Sequence, residues 1–184
     1  MMSETKVYRV SILIRFTLVN LYLALTLPLP FLLYKTTGRQ YTAVLLFVPL
    51  IVVGLFLVVA SLSEQVVLDE GGISVIYPRT IQWLWRNRVW SLSWQEIESL
   101  KGRTTSQGGM VYYLVSKNRD KAYLLPMRVA GFARMVRQIQ EKTGIDTTHV
   151  KPLAQPWMYL FLLFFTFFLW LVDFWAIFNS ISLA

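Results

Sequence analysis

Cysteine is absent from this chain of 184 residues, and histidine occurs once, at His149. Disulfides, thiolate nucleophiles and sulfur-ligated metal sites are therefore excluded. A metal site needs several converging ligands and a catalytic histidine needs an oriented partner, so we interpret His149 as a solvated loop residue. With no other catalytic pattern in the sequence, we predict no enzymatic activity, no catalytic residues, no metal and no cofactor.

Charge is also scarce, because charged residues make up 15% of the chain and hydrophobic residues 55%. About a quarter of the residues in an ordinary soluble domain are charged, so the excess of apolar side chains indicates a lipid environment. The formal net charge of +8 could suggest nucleic acid. In a membrane protein, however, Lys and Arg set the topology and contact anionic headgroups. We therefore predict membrane lipids as partners and no nucleic acid.

Two long uncharged stretches lie in the first third of the chain. Phe16–Leu33 follows a polar lead, residues 1–15, and Thr42–Leu62 follows after a short turn. Each approaches the ~20 residues that cross the hydrocarbon core. A cleaved signal peptide is the competing interpretation of the first stretch, but its length and the position of Pro28 favour a retained helix. Residues 16–62 are thus predicted to form a transmembrane hairpin.

A third apolar stretch, residues 156–178, predicts a third transmembrane helix that carries one acid, Asp173. A carboxylate inside lipid is costly unless it is paired or reaches the interface. Asp173 is therefore predicted either to bind a cation or partner, or to face the far headgroups. The same helix has a broad aromatic side that a larger membrane complex would contact, made of Phe161, Phe164, Phe165 and Phe168.

Residues 63–150 change to short alternating runs rich in β-branched and aromatic residues, which are typical of strands. The predicted strands are Gln65–Asp69, Ile73–Tyr77, Ile81–Trp85, Val89–Trp94, Ile97–Arg103, Val111–Ser116 and Ala122–Leu125. Apolar residues at three-to-four spacing predict a helix over Ala130–Lys142, with Gly144 just beyond its end. Seven short strands followed by one amphipathic helix predict a small split barrel capped by that helix.

Three segments of this region resemble the bacterial membrane-anchored pleckstrin-homology-like (PH-like) domains. They are the run Glu70–Val75, the basic residues Arg86 and Arg88, and the segment Trp94–Leu100. The resemblance covers about residues 65 to 142 and implies a PH-like barrel. The architecture is also similar to that of the two-helix photosystem I assembly factor of cyanobacteria and chloroplasts, from which the third span departs.

Tryptophans crowd into one short segment of the predicted barrel. Strand alternation predicts that Trp83 and Trp85 share a face with Ile81, and that Trp90 and Trp94 share a face of the next strand. Such a surface would rest on the headgroup layer or dock a partner protein, unless two of the indoles fill the core. The side chains predicted to form a basic face near anionic lipid are Arg79, Arg86, Arg88, Lys101 and Arg103.

The distribution of Lys and Arg predicts the orientation. Thirteen of them lie between Glu64 and Pro156, against eight Asp and Glu, and only Lys35 and Arg39 separate the first two spans. Because cytoplasmic segments carry the excess of Lys and Arg, the N-terminus and central domain are predicted to be cytoplasmic. The membrane is predicted to be the plasma or thylakoid membrane.

The predicted fold class is therefore an α+β membrane protein. It has three transmembrane helices, with a PH-like split β-barrel and its C-terminal helix inserted between helices 2 and 3. The leading functional hypothesis is a non-enzymatic scaffold or assembly factor that binds a membrane-protein complex through its spans and the tryptophan-rich hairpin. The alternatives are an anionic-lipid-binding module, an assembly factor for a photosynthetic complex, and a membrane enzyme whose polar groups meet only in three dimensions.

Overall fold

The computed structural model of the chain describes residues 5–37, 40–106, 109–118, 121–150 and 156–182. The chain divides into two compact units. The β unit comprises Met1–Ser11 with Ser63–Gln155, and the helical unit comprises Ile12–Leu62 with Pro156–Ala184. The fold is α+β, with two small antiparallel sheets in the β unit and long apolar helices in the helical unit.

The first sheet has four antiparallel strands in the order β1-β2-β3-β4. Its members are β1 (Lys6–Arg9), β2 (Gln65–Leu68), β3 (Gly72–Ile76) and β4 (Trp90–Ser93). Asp69 closes the turn between β2 and β3, since its Oδ1 accepts hydrogen bonds of 2.8 Å from the amides of Gly71 and Gly72. The turn between β2 and β3 thus rests on the Asp69 side chain.

The second sheet has three antiparallel strands in the order β5-β6-β7, and a helix follows it. The strands are β5 (Ile97–Thr104), β6 (Met110–Ser116) and β7 (Ala122–Leu124), and the helix is α4 (Phe132–Thr143). Gly131 precedes α4 and Gly144 ends it, both in the left-handed conformation that glycine adopts without steric cost. Gly144 donates its amide to the carbonyl of Gln140 at 2.7 Å, which confirms the predicted C-terminal glycine.

The core of the β unit joins alternate residues of both sheets to one face of α4. Its most buried members include Ile73 and Val75 of β3, Leu114 of β6, and Met135 and Ile139 of α4. The four buried residues of α4 are Phe132, Met135, Val136 and Ile139, which is the face that the spacing predicted. The amphipathic helix therefore covers the sheets, because burying this stripe removes its apolar surface from water.

β1 lies in the segment that the sequence analysis treated as a polar lead. It pairs with β2, from Lys6 opposite Leu68 to Arg9 opposite Gln65. On its other side the carbonyl of Arg9 accepts the amide of Ala130 at 2.8 Å. The hydroxyl of the buried Tyr8 donates to Oε1 of Gln138 in α4 at 2.7 Å. β1 therefore ties the first sheet to the C-terminal helix of the β unit.

The predicted strand Ile81–Trp85 is wrong, because these residues form successive turns. The other six predicted strands are present to within one or two residues at their ends. The observed count of seven strands is reached in the described residues because β1 takes the place of the missing one.

The helical unit contains α1 (Ile12–Thr26), α2 (Pro28–Thr37), α3 (Gln40–Ser61) and α5 (Pro156–Ser182). α1 packs against α5 and α3, and α2 packs against α3. Pro28 begins α2, where a missing amide costs nothing, so the N-terminal stretch continues after a short break at Leu27.

The prediction of three spans is not upheld by the described residues. Two stretches are long and apolar enough to cross a membrane, Ile12–Leu32 with 21 residues and Pro156–Asn179 with 24. The described apolar part of α3, Leu45–Ser61, is shorter than the 18 residues that such a helix needs. The uncharged run Thr42–Leu62 reaches the required length only with residues 42–44, whose side chains lie outside the described ones.

A close contact between α1 and α3 explains the glycine in α3. The hydroxyl of Tyr22 donates to the carbonyl of Ile51 at 2.9 Å, and a Cβ at Gly54 would overlap that hydroxyl. The bond places a polar group of α1 on the backbone of α3, in a stretch that also contains Pro49. Gly54 therefore makes room for an interhelical hydrogen bond, which is a common means of helix association in lipid.

We expect the β unit to require β1 for folding. A fragment of residues 63–150 lacks that strand and exposes one edge of β2, and it is expected to be unfolded or aggregated. A second fragment, with residues 5–11 joined to residue 63 by a short glycine-serine linker, is expected to fold, because Arg9 lies opposite Gln65. Cooperative thermal unfolding followed by circular dichroism is the measurement. Equal cooperativity in both fragments would contradict a structural role for β1.

Candidate functional site

The segment from Tyr77 to Val89 connects β3 to β4 and carries much of the tryptophan-rich region. Hydrogen bonds in this segment join near neighbours: the amides of Ile81 and Gln82 donate to the carbonyl of Pro78 at 3.0 Å, and the amide of Arg88 donates to the carbonyl of Trp85 at 2.8 Å. These short-range bonds are those of consecutive turns, in which no strand ladder forms. We call this segment, residues 77–89, the tryptophan loop.

Side chains of the tryptophan loop do not alternate as the sequence analysis predicted. Ile81 is buried and Trp85 is half-buried, whereas Trp83 is 73% exposed. Ile81 and Trp85 are four residues apart, which is the spacing of residues that share one face of a helical turn. The Trp83 side chain therefore points to the opposite side of the loop, into solvent.

Stacked side chains within the loop stabilise its conformation. The Trp85 ring stacks on that of Tyr77 with a centroid distance of 6.0 Å and an angle of 24°. The guanidinium of Arg88 lies 4.7 Å from the centroid of Trp85, within the range of a cation–π interaction. Nε1 of Trp85 is buried and has no hydrogen-bond partner in the part of the chain that the structure describes.

A carboxylate just before β2 contacts this stack. The Tyr77 hydroxyl donates to Oε1 of Glu64 at 3.2 Å. Burial raises the pKa of Glu64 above its usual value, and it outweighs the opposing effects of the Tyr77 hydrogen bond, Arg128 and Arg88. Burial, followed by the neighbouring Glu64 charge, also raises the pKa of Tyr77 to about 12. Glu64 is thus a partly desolvated acid held between a phenol and two arginines.

Sequence reasoning missed Glu64 and Tyr77 as members of this site. One signal was available, because Glu64 is the first charged residue after the long uncharged stretch that ends at Leu62. An acid at such a position favours a structural or functional partner nearby. The identity of that partner depends on strand register, which places Gln65 opposite Ile76 and so brings Tyr77 close to Glu64.

Trp90 and Trp94 pack mainly against the core. Both are partly buried against it, and Leu92 between them belongs to it, as the predicted face of this strand requires. Trp90 contacts the ring of Tyr123 with a centroid distance of 5.0 Å, and Nε1 of Trp94 donates to the carbonyl of Asp69 at 2.9 Å. Of the four predicted contact tryptophans, Trp83 alone is largely exposed.

The basic residues predicted to form one face lie on two different elements. Arg79, Arg86 and Arg88 are exposed in the tryptophan loop, whereas Lys101 and Arg103 are exposed on β5 in the other sheet. His149 is exposed in a turn, and its carbonyl accepts the Tyr112 hydroxyl at 2.9 Å.

Asp173 lies in α5 within the helical unit. Its side chain is half-buried, and Oδ2 is buried without a hydrogen-bond partner among the described residues. It stands two turns beyond Thr166, which is buried, while Phe174 and Trp175 beside it are exposed. Asp173 therefore lies toward the packed side of α5.

No group of three or more His, Asp or Glu side chains is placed to hold a metal ion within the described ranges. The titratable side chains that do meet, Glu64 and Tyr77, form a hydrogen-bonded pair beneath the tryptophan loop. This arrangement fixes the loop to the first sheet and leaves Trp83 and the arginines exposed.

The two units define an α+β protein that combines a small β unit with a helical unit containing two helices long enough to cross a membrane. The chain is 55% identical over 164 residues to the protein slr0269 of the cyanobacterium Synechocystis sp.. The aligned region covers 89% of this chain and 81% of that protein. It belongs to the same protein family as slr0269. No protein-family model and no solved structure matches the chain.

Substitution of individual tryptophans is expected to separate the exposed indole from the packed ones. Trp83→Ala should change the free energy of unfolding by less than about 0.5 kcal/mol, because the side chain is largely exposed. Trp90→Ala should lower it by about 2 kcal/mol or more, because it removes packing against Tyr123 and the core. Thermal unfolding of the detergent-solubilised full chain measures both. A larger loss from Trp83→Ala than from Trp90→Ala would contradict the arrangement of the loop.

Replacement of Glu64 is expected to change how stability depends on pH. A raised pKa in the folded state means that the protonated acid is favoured there, so its contribution is present below about pH 4.5 and is lost as the pH rises through the folded value. Glu64→Gln does not titrate, so its free energy of unfolding should rise relative to that of the native chain between acidic and neutral pH. Tyr77→Phe removes a hydrogen bond to the carboxylate and should extend the native chain's loss to higher pH. A difference between Glu64→Gln and the native chain that stays constant over this range would show that Glu64 is not desolvated.

Proposed function

We propose that this protein is a membrane-anchored, non-enzymatic scaffold or assembly factor that binds a membrane-protein complex. The observation that carries the proposal is an ordered aromatic surface on α5. Phe164 and Phe168 are 66% and 58% exposed, and they belong to a row of exposed aromatic residues along one side of the helix. The opposite side, which includes the buried Thr166, is the packed one.

The aromatic rings of this surface hold one another in place. Phe165 makes edge-to-face contacts with Phe161 and Phe164, at centroid distances of 4.8 and 5.7 Å. Rings already ordered by such contacts lose little conformational freedom when a partner helix packs against them. Aromatic side chains are also prominent among the residues that dominate interface energies. The exposed side of α5 is therefore the main contact in this proposal.

Asp173 is a second contact in the proposal. A carboxylate inside the hydrocarbon region is stabilised when a cation or hydrogen-bond donor reaches it. We propose that a polar group of the bound complex approaches Oδ2, which is buried and lacks a partner among the described residues. The tryptophan loop takes a smaller part than the four tryptophans between residues 83 and 94 suggested, since Trp90 and Trp94 pack against the core.

Three finer points belong to the same proposal. A PH-like barrel is supported by the four-stranded and three-stranded sheets followed by α4. A cytoplasmic β unit is supported by the thirteen Lys and Arg between Glu64 and Pro156. Assembly of a photosynthetic complex in the thylakoid membrane is supported by the cyanobacterial source of the relative.

The proposal predicts that a defined membrane complex copurifies with the full-length chain in a gentle detergent. Phe164→Leu with Phe168→Leu keeps the helix apolar but removes the rings, and it is expected to reduce the recovered complex about tenfold. The matched control, Phe16→Leu with Phe56→Leu, changes two exposed phenylalanines on α1 and α3 and should recover the complex in full.

Mass spectrometry of the recovered complex identifies the partner. Subunits of a photosynthetic complex would support the narrower role in photosynthesis, and another membrane complex would replace it. Recovery of the native chain alone, or equal losses from both double variants, would overturn the scaffold proposal.

A further inference from the structure

The register of the first sheet brings four strand ends together. Arg9, the last residue of β1, lies opposite Gln65, the first residue of β2, and Gln65 lies opposite Ile76, the last residue of β3. Val75 pairs with Trp90, which begins β4. We call this end of the sheet the helix-proximal end, because the chain passes into α1 after Ser11 and returns from α3 before Gln65.

The tryptophan loop lies at this same end. It connects Ile76 to Trp90, and Tyr77 at its start is hydrogen-bonded to Glu64, the residue before β2. The opposite, distal end of the sheet holds the turn at Asp69 and the residues after Ser93, where the carbonyl of Glu96 accepts the amide of Lys117 at 2.8 Å. The loop is therefore on the side of the β unit from which the chain enters the apolar helices.

The exposed side of the loop combines one indole with cationic groups. Trp83 is 73% exposed, and Arg79, Arg86 and Arg88 of the same loop are also exposed. Tryptophan beside Arg or Lys is typical of the membrane–water interface, where the indole lies among the headgroups and the cations contact phosphate. Thus this exposed surface has the chemistry of an interfacial contact.

Packing contacts of other loop residues keep Trp83 exposed. Ile81 is buried, and Trp85 is stacked between Tyr77 and the Arg88 guanidinium. These contacts fix the residues on both sides of Trp83, so its projection does not depend on a flexible turn. A rigid support lowers the ordering cost of binding, which favours a surface contact by a single large side chain.

We infer that the tryptophan loop binds anionic phospholipid headgroups of the membrane in which the helical unit lies, with Trp83 in the headgroup layer and Arg79 and Arg86 on lipid phosphates. Arg88 supports the loop through Trp85. The contact would set the orientation of the β unit on the membrane. It rests on the membrane location in the proposed function but requires no protein partner.

Two considerations favour lipid over a protein at this loop. The loop stands where the chain itself approaches the bilayer, so lipid is present at high effective concentration without any diffusional encounter. A protein-docking site is usually a cluster of aromatic anchors, and Trp83 is the one largely exposed residue among Trp83, Trp85, Trp90 and Trp94, all of which the structure describes.

The absence of cysteine allows a site-specific test on the full chain. An environment-sensitive fluorophore is attached to Gln82→Cys in the loop or to Asn118→Cys near the distal end; both positions are exposed. Each labelled chain is placed alone in nanodiscs of phosphatidylcholine, with or without about one third phosphatidylglycerol. Quenching by a spin-labelled lipid reports contact with the bilayer, and emission wavelength reports polarity.

The loop label is expected to be quenched and blue-shifted in the anionic nanodiscs, and less so in neutral ones or at high salt. Arg79→Gln and Arg86→Gln should each lower the ratio of docked to undocked loop about fivefold, and Trp83→Ala should also reduce quenching. The matched control, Lys117→Gln with Lys121→Gln, removes two exposed charges elsewhere and should have no effect. The Asn118 label should remain unquenched throughout.

Three results would overturn the inference. The loop label would show the same quenching as the Asn118 label, or inorganic phosphate added to neutral nanodiscs would reproduce the blue shift, which would indicate a site for free anions. In the third, the loop label would stay unquenched in the nanodiscs and would become protected only in detergent, when a protein complex copurifies with the chain. Because these nanodiscs contain no partner, failure of the scaffold proposal leaves the lipid result unchanged, and the reverse also holds.

Discussion

The pairing of β1 with β2 is the constraint on which the rest of the structure depends. The two strands are adjacent in the sheet but are separated in the chain by α1, α2 and α3. Their antiparallel register, with Arg9 opposite Gln65, makes the helical segment an insertion between neighbouring strands of one sheet. It therefore brings the end of β1 and the start of β2 to the same end of the first sheet. The same register determines which loops share that end.

The candidate site follows from this register together with burial. Glu64 stands just before β2 and Tyr77 just after β3, so antiparallel pairing brings the two together. Burial then decides the electrostatics, because desolvation of the Glu64 carboxylate outweighs the stabilisation that Tyr77 and the arginines provide. The polar pair and the Trp85 stack fix one side of the loop, and Trp83 on its other side is exposed.

Much of the β unit was predictable because its strands and α4 have clear periodicity. The face of α4 and the turn at Gly71 follow from local patterns that the tertiary structure does not override. Ile81–Trp85 was mistaken for a strand because apolar residues at 81, 83 and 85 fit alternation, whereas the observed turns use the four-residue spacing of Ile81 and Trp85. β1 was missed because four residues with a distant partner carry no local signal. The site at Glu64 and Tyr77 was missed for the same reason, since only register brings them together.

The contacts of β1 also have a consequence for synthesis. β1 is the first strand to leave the ribosome, yet it pairs with β2, accepts an amide from Ala130, and bonds through Tyr8 to Gln138 in α4. More than a hundred residues separate Tyr8 from Gln138, so the N-terminal strand has no complete binding site until most of the chain has been translated. At ~5–20 residues per second, the 130 residues between them take roughly 7–26 s to translate. During this interval α1, α2 and α3 have already been synthesised while the sheet is still open, whereas α5 follows Gln138 in the chain and is synthesised later.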